Sequence, residues 1–490
     1  MQINRIHREG SLRIRAWLVA AAVAVGLPTV LVGASSAAAL PEGGTSAPAV
    51  GGGGGGTQIW VARDSGPHGA FDTVAGMATS PDGSTVYVAG TSAGTFFVAA
   101  HDALTGATRW AVRTADPDGY QIFAEAVSLS ADGTRLFVTG DVERSVDTRD
   151  GRTIAYDTVD GSVLWASDVM MQDRWEFIPR RIAVSPDGSR VLVTGSRTGN
   201  RGPNDFWDYY TLSYAAATGT LVWKATYDGP AHGGDTAEGL GVSPDGTSVF
   251  VTGTSKGTGR YERDFVTIAY SADDGAQRWK ARYAVGVDDF AVGLAVSPDG
   301  SRVYVAGYGR AAITDPHDYT LAAYDAVTGG QVGVATFADG NDDYAASLAI
   351  GGDGSRVYVT GSGSQDFLTV AFDASTLEPA WHARYDGGHG IDDAYSVAVS
   401  PDGAHVYVTG EGERSRIACF GDIQATGYAT VRYDAATGAQ GWVARYAGLK
   451  RDPDQARQVA AGVDGSSVFV TGNSDSVCKG SDVATLAYQA

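Results

Sequence analysis

A hairpin built on an Asp-Gly turn recurs eight times, and it constrains this chain more than any other feature. Its turn aspartates lie 49 to 62 residues apart, at Asp82, Asp132, Asp187, Asp245, Asp299, Asp353, Asp402 and Asp464. A glycine follows each aspartate, and an apolar run such as Val-Leu-Val-Thr-Gly at 191–195 comes next. Aspartate can bond its own backbone and glycine tolerates a positive φ, so each copy predicts a tight turn between two antiparallel strands.

Each unit also carries a second pair of strands. The third strand usually ends in an aromatic residue, as in Asp-Phe-Val-Thr-Ile-Ala-Tyr at 264–270, and a short turn leads to the fourth. A tryptophan lies on this fourth strand in seven of the eight units, whereas Gly333 takes its place in the other. We predict that these tryptophans wedge between units with their N–H groups bonded, rather than forming stacking platforms. They are Trp60, Trp110, Trp165, Trp223, Trp279, Trp381 and Trp442.

Eight units of four short antiparallel strands predict an all-β fold, an eight-bladed β-propeller over residues 57–490. The eighth unit ends after its third strand, at 483–488, and the missing fourth strand matches residues 57–62, which include Trp60. The N-terminal strand is therefore predicted to complete the last blade and close the ring. A solenoid of hairpins is the alternative, but it does not explain these two ends.

The first unit contains Ala100, Asp102, Thr105, Gly106 and Trp110, spaced as Ala-x-Asp-x-x-Thr-Gly-x-x-x-Trp. This pattern resembles the tryptophan-docking motif of quinoprotein-like (PQQ-like) propellers, although a later copy has Arg432 at the alanine position. The Ser-Pro-Asp-Gly hairpin with its Val-Tyr-Val-Thr-Gly strand is similar to bacterial YVTN-type repeats. Both resemblances imply the fold and leave the function open.

The quinone site of the quinoprotein family typically uses adjacent cysteines. Cys419 and Cys478 are far apart in this sequence, so no quinone, calcium or catalytic residues are carried over from that family. Both cysteines fall in corresponding loops of adjacent blades, and in an exported chain this placement predicts a disulfide.

Residues 1–39 have the three parts of a secretory signal peptide. Arg5, Arg8, Arg13 and Arg15 precede an apolar run at 17–32, and small residues follow at 34–39. Cleavage would leave a secreted, extracellular chain without membrane insertion, whereas an uncleaved anchor is the alternative. Residues 40–56, which contain six consecutive glycines, are predicted to form a flexible linker.

The formal net charge is −20, and the sequence has no basic stripe. This balance argues against nucleic acid or an anionic membrane as partner, and we predict a monomer. The sequence has no P-loop, GxSxG elbow or HExxH motif, so no catalytic residue is predicted. No cofactor is predicted either, and a divalent cation such as calcium is the one candidate.

Two series of aspartates recur at blade positions where long loops begin or end. One series opens the innermost strands, and the other lies near the start of the third strands. Each carboxylate could fix a loop by accepting backbone N–H groups. Alternatively, the first series could form an acidic ring that holds a metal ion at the mouth of the central channel. The first series is Asp72, Asp235, Asp289, Asp343, Asp392 and Asp454, and the second is Asp150, Asp208, Asp264, Asp318, Asp366 and Asp482.

Long loops are predicted on one face only, opposite the Asp-Gly turns, and variable loops on a rigid scaffold usually carry binding. Trp175, Phe177, Phe206 and Trp207 are aromatic residues of these loops, and they could contact a ligand or form a local core. We therefore predict a secreted binding protein whose partner is a protein, a glycan or a small ligand. The alternative is an extracellular enzyme, either a divergent quinoprotein-like oxidoreductase or a carbohydrate hydrolase or lyase.

Overall fold

In the residues that it describes, the computed structural model has 32 strands in eight four-stranded antiparallel sheets. The structure describes residues 55–67, 72–171, 175–198, 207–259, 262–284, 286–388, 390–417, 423–448, 454–475 and 481–490, without the side chains of 413–417, 423–426 and 475. The predicted signal peptide (1–39), most of the predicted linker (40–56) and both cysteines lie outside the described residues. The part that the structure describes contains no helix long and apolar enough to cross a membrane.

Each of the first four sheets is one blade whose strands follow chain order from the channel outward. Blade 1 is β2 (Asp72–Thr79), β3 (Thr85–Ser92), β4 (Thr95–Asp102) and β5 (Thr108–Thr114). Blade 2 is β6 (Gln121–Leu129), β7 (Arg135–Ser145), β8 (Thr148–Asp157) and β9 (Val163–Val169). Blade 3 is β10 (Phe177–Val184), β11 (Arg190–Arg197), β12 (Asp208–Ala215) and β13 (Leu221–Tyr227). Blade 4 is β14 (Asp235–Val242), β15 (Ser248–Lys256), β16 (Arg263–Ser271) and β17 (Gln277–Tyr283).

The last four sheets continue the same order, except that blade 8 takes its fourth strand from the start of the propeller. Blade 5 is β18 (Asp288–Val296), β19 (Arg302–Arg310), β20 (Asp318–Asp325) and β21 (Gln331–Phe337). Blade 6 is β22 (Asp343–Ile350), β23 (Arg356–Gly363), β24 (Asp366–Asp373) and β25 (Pro379–Tyr385). Blade 7 is β26 (Asp393–Val399), β27 (His405–Ile417), β28 (Ile423–Asp434) and β29 (Gln440–Tyr446). Blade 8 is β30 (Asp454–Ala461), β31 (Ser467–Asp475), β32 (Ser481–Gln489) and β1 (Gln58–Asp64).

The ring closes as the sequence predicts. The first strands of successive blades contact one another around the whole ring, including β30 with β2, so they are the innermost strands. Strand β1 pairs antiparallel with β32, and Trp60 lies opposite Ala487 in that register. The eight-bladed β-propeller is confirmed.

The recurrent turns all lie at one end of the blades, and their chemistry repeats. In blade 3 the Ser185 hydroxyl and the Ser189 N–H donate to Asp187 Oδ1 over 2.6 and 3.0 Å. These hydrogen bonds to the charged form hold the pKa of Asp187 below its usual range. Gly188 has φ 69°, and the glycine of every other copy has a similar positive φ. We call this end of the propeller the turn face.

The blade tryptophans lie between neighbouring blades. Trp223 of blade 3 is 7% exposed, and its Nε1 donates to the Ala272 carbonyl of blade 4 over 2.8 Å. Trp60, Trp110, Trp165, Trp279 and Trp381 make the same bond to the next blade. A Cβ on Gly275 would lie 2.6 Å from Trp223 Cε3, so the indole packs directly on the glycine backbone.

The junction between blades 5 and 6 reverses this arrangement. Gly333 of blade 5 stands where the tryptophan would be, and Leu377 of blade 6 stands where the docking glycine would be. Leu377 is 5% exposed at φ 65°, and its Cδ1 would lie 2.8 Å from a Cβ on Gly333. The leucine therefore fills the space that an indole occupies at the other junctions.

Gly333→Trp and Leu377→Gly would restore the usual tryptophan and glycine at this junction. Their effects on the free energy of unfolding are expected to be coupled. Leu377→Gly should lose about 2–5 kcal/mol by leaving a cavity, partly offset by about 1–2 kcal/mol of relieved left-handed strain. Gly333→Trp should destabilise the protein because its ring meets Leu377. The double variant should be more stable than either single variant by denaturation, with a coupling of about 0.5–3 kcal/mol. Val332→Ala, at a 47% exposed neighbour, is the control. Additive effects would contradict the steric pairing.

Candidate functional site

The connections between blades and those between second and third strands lie at the end of the blades opposite the turn face. We call this end the loop-rich face. Both aspartate series lie here, because they begin the first and third strands. The loop-rich face also holds longer connections, such as that between β19 and β20.

The first aspartate series is buried. Asp72, Asp235, Asp289, Asp343, Asp392 and Asp454 are each 0–3% exposed. Five of them accept the backbone N–H of a glycine in the preceding connection, and Asp343 does not. These five carboxylates therefore fix the entry loops, and a metal ion held by this series stays a prediction.

An arginine on the fourth strand extends this arrangement in several blades. In blade 4, Asp235 is bonded to Ser255, and Arg282 Nη2 donates to Ser255 Oγ over 2.7 Å and to the Tyr227 hydroxyl of blade 3 over 3.3 Å. Arg113 and Arg63 bond the equivalent serines, Ser92 and Ser474. In the sequence, this arginine lies three residues after the blade tryptophan. The recurrence of the aspartates does not reveal it.

Asp343 departs from this pattern. Its cross-strand partner is Gly363, just as Gly309 is the partner of Asp289, but neither carboxylate oxygen of Asp343 accepts a hydrogen bond from the described residues. Arg384 Nη2 lies 3.8 Å from Asp343 Oδ1. Burial, followed by the charges of Asp318 and Asp342, raises the pKa of Asp343 to about 7.

Stability is expected to fall as pH rises from about 5 to 7.5. The folded pKa of Asp343 exceeds its unfolded value, so the folded protein holds the extra proton and its stabilisation is lost through this window. The pKa of Asp393, raised to about 6, acts in the same direction. Melting temperatures across the window should fall less steeply in Asp343→Asn than in the parent. Equal slopes would show that Asp343 does not titrate there.

Among the described residues, two sets of three aspartates could hold a metal ion by geometry alone. They are Asp208, Asp228 and Asp235 at the junction of blades 3 and 4, and Asp366, Asp386 and Asp392 at that of blades 6 and 7. Within each set, one carboxylate oxygen per residue lies within 4.8 Å of the others. Each set combines members of both predicted series with an aspartate after the fourth strand. Calcium binding here stays a prediction.

The aromatic loop residues have different surroundings. Phe177 is 1% exposed and packs edge-on against Tyr210 at 5.0 Å, so it belongs to the core between blades 2 and 3. Trp175 is half-buried with the Arg197 guanidinium 5.6 Å from its ring, and Trp207 is also half-buried. Phe206, Cys419 and Cys478 lie outside the described residues, so the predicted disulfide stays a prediction.

A ring of residue pairs encircles the loop-rich end of the channel. Its first-strand members directly follow, in sequence, the position that the buried aspartates occupy. Each pair joins the first and second strands of one blade in register, and we call this set the channel-mouth ring. Unlike the tryptophans and turns, its chemistry changes from blade to blade. In blade order the pairs are Thr73–Thr91, Phe123–Asp141, Ile178–Ser196, Thr236–Thr254, Phe290–Tyr308, Tyr344–Ser362, Asp393–Glu411 and Gln455–Asn473.

Aromatic residues cluster in this ring at blades 5 and 6. The Tyr308 ring stacks on Phe290 at 5.2 Å and meets Tyr344 edge-on at 5.2 Å. His317 lies 5.2 Å from Tyr344 and contacts Asp342 through Nδ1 at 3.1 Å. Tyr344 is 38% exposed, so one aromatic surface of the cluster faces solvent.

Carboxylates follow in blade 7. Asp393 and Glu411 are direct register partners across β26 and β27. Glu411 accepts hydrogen bonds from the Tyr395 hydroxyl at 2.6 Å and from Gln455 Nε2 at 2.7 Å. Asp393, which is 6% exposed, is bonded to Ser362, the partner of Tyr344. Ser362 thus connects the aromatic and acidic parts of the channel-mouth ring.

Comparison with known proteins supports the repeat type. Residues 210–332 match the PQQ_2 family model, described as outer membrane protein assembly factor BamB. The resemblance to PQQ-like propeller repeats is confirmed there. Among curated protein sequences, none matches this chain.

Solved structures of propellers are similar to the whole ring. Sqt1 from Chaetomium thermophilum has a TM-score of 0.56 at 15% identity, covering 87% of this chain and 98% of its own. The Dos1 propeller has 0.53 at 13% identity, covering 88% and 95%. Quinohemoprotein alcohol dehydrogenase from Comamonas testosteroni has 0.52 at 14% identity, covering 87% and 76%. At these identities the similarity shows the fold alone.

The blade tryptophans are not placed to hold a quinone cofactor. A planar quinone needs an aromatic or disulfide surface on which to stack inside the channel. The blade tryptophans cannot provide it, because their rings pack against glycines of the next blade. Glu125, Arg180 and Glu238 lie on the innermost strands of blades 2, 3 and 4, and Arg180 interacts electrostatically with both glutamates.

Proposed function

We propose that this chain is a secreted binding protein that holds a ligand at the channel-mouth ring and performs no catalysis there. The observation that carries the proposal is the contrast between the repeating scaffold and the varied pairs of this ring. Residues that recur in every blade serve the blade, whereas a varied set at one level of a rigid ring is typical of recognition.

The combination of side chains in the ring at blades 6 and 7 supports this proposal. Tyr344, Asp393 and Glu411 combine an aromatic surface with carboxylates, and such mixed surfaces are typical of ligand sites. The Sqt1 structure holds the N-terminus of a ribosomal protein, so a chain of this fold can bind a peptide segment. Secretion is supported by the basic and apolar halves of residues 1–39.

The proposal is tested with the purified full chain on glycan and peptide arrays at near-physiological salt. At least one ligand class should bind, and Tyr344→Ala should weaken that binding. Leu104→Ala is the control, because Leu104 is 79% exposed in a turn of the opposite face. No binding to either array would overturn the proposal, and so would binding that only the turn-face variant weakens.

A further inference from the structure

From the arrangement at blades 5 to 7, we infer that the ligand presents an organic cation to the channel-mouth ring. An alkylammonium or guanidinium group would contact the Tyr344 ring and the Asp393–Glu411 carboxylates. This inference rests on the proposed function, since it names the ligand class of that same site.

The carboxylate pair is the first reason. Like charges placed directly opposite one another across two strands destabilise a sheet. Glu411 accepts hydrogen bonds from Tyr395 and Gln455, and both of these donors are neutral. The nearby Arg457 donates to Gln455 Oε1 and lies over the Tyr395 ring. Within the described residues, the charges on Asp393 and Glu411 thus remain without an ion-pair partner.

Asp343 is an independent second reason. It is fully buried, its oxygens accept no hydrogen bond from the described residues, and it directly precedes Tyr344 in β22. The buried Tyr319 hydroxyl interacts electrostatically with Asp343, Arg384 and Asp393, so the two carboxyl groups share one neighbourhood with a single guanidinium, which lies 3.8 Å from Asp343. Burial is the main cause that raises the pKa of Asp343 to about 7 and that of Asp393 to about 6, and neighbouring carboxylates raise both further.

The aromatic cluster decides the kind of cation. A tyrosine ring attracts an ammonium or guanidinium group over its face. Tyr308 and His317 pack around Tyr344 and hold its ring in place. A metal ion would need oxygen ligands and no ring, and a neutral sugar would leave the paired carboxylates uncompensated. An organic cation uses both groups.

Calorimetric titration of the full chain tests the inference. The probes are the peptide Gly-Lys-Lys-Gly, the same peptide with both lysines acetylated at Nε, spermidine and a neutral oligosaccharide, all at physiological salt. The charged peptide or spermidine should bind, and acetylation should abolish peptide binding. Peptide binding without spermidine binding identifies a lysine side chain of a polypeptide as the source of the cation, and the reverse identifies a free amine.

Four variants locate the binding. Tyr344→Ala should weaken it about threefold to thirtyfold, the range of cation–π contacts. Asp393→Asn should weaken it while leaving the melting temperature unchanged or higher, because it removes a like-charge pair. Tyr120→Ala and Asp118→Asn are matched controls on the same face and should change binding less than twofold. Tyr120 is 41% exposed, and the side chain of Asp118 is 75% exposed.

Each remaining outcome overturns the inference in a recognisable way. Equal weakening by all four variants means general attraction to an acidic protein. If the acetylated peptide or the oligosaccharide binds and Tyr344→Ala weakens that binding, the ligand is not a cation. The proposed function then still stands. Probe binding that no channel-mouth variant affects refutes both.

Discussion

Removal of β1 (Gln58–Asp64) is expected to destabilise the propeller more than any single core substitution. The strand completes blade 8, and its Trp60 and Ala62 pack with Met77 and Val86 of blade 1. Deletion therefore opens the ring at the junction of blades 8 and 1. The loss should exceed the roughly 3–5 kcal/mol expected for one buried tryptophan. Thermal and urea denaturation of the shortened chain measure it.

A shortened chain that fails to fold would show no unfolding transition, so a peptide of residues 55–64 provides the second measurement. Added in excess, it should pair with β32 and raise the melting temperature in a concentration-dependent manner. A peptide with Trp60→Ala is the control and should restore less. An unchanged melting temperature after deletion would mean that the ring does not depend on this strand.

Trp223→Ala is expected to cost about 3–5 kcal/mol of unfolding free energy. The indole is buried among Ala237, Leu240 and Val249 of blade 4, and its N–H bonds the Ala272 carbonyl. Alanine would leave a cavity between two blades and an unpaired buried carbonyl. Urea denaturation measures the change.

Two further variants separate packing from hydrogen bonding at this position. Trp223→Phe keeps a ring but leaves the Ala272 carbonyl without its hydrogen bond. It should lower the unfolding free energy by about 1–3 kcal/mol for that unpaired group, in addition to some lost packing. Leu221→Ala, two residues earlier and 40% exposed, should change stability by less than about 0.5 kcal/mol. Similar effects of Leu221→Ala and Trp223→Ala would argue against the interblade role of the indole.

The sequence predicted nearly all of the fold, because each blade repeats local signals. The glycine after every turn aspartate and the tryptophan on the fourth strand gave the strand order, and the placement of Trp60 gave the closure. The pairing of Gly333 with Leu377 was not predicted. The two residues belong to different blades, so their complementarity becomes visible only when the blades are packed.

The site was predicted less completely. The aspartate series was expected at the entries of the innermost strands and lies there, but its burial depends on partners distant in sequence, such as Ser255 for Asp235. The aspartates recur at fixed positions and are therefore visible in the sequence. The pairs of the channel-mouth ring vary between blades, so no recurrent pattern predicts them. Pairs such as Asp393 and Glu411 emerge only from the strand register. Phe177, expected in the loops, lies in the core.

The reversed junction between blades 5 and 6 bears on how the ring assembles. Blades with interchangeable docking surfaces can associate with the wrong neighbour while the chain folds, a characteristic failure of repeat proteins. Leu377 cannot dock on a blade that carries an indole, because the leucine and the ring would occupy the same space. Blade 6 therefore accepts blade 5 in preference to the others. A single exchanged pair of side chains fixes the order of the blades at this point.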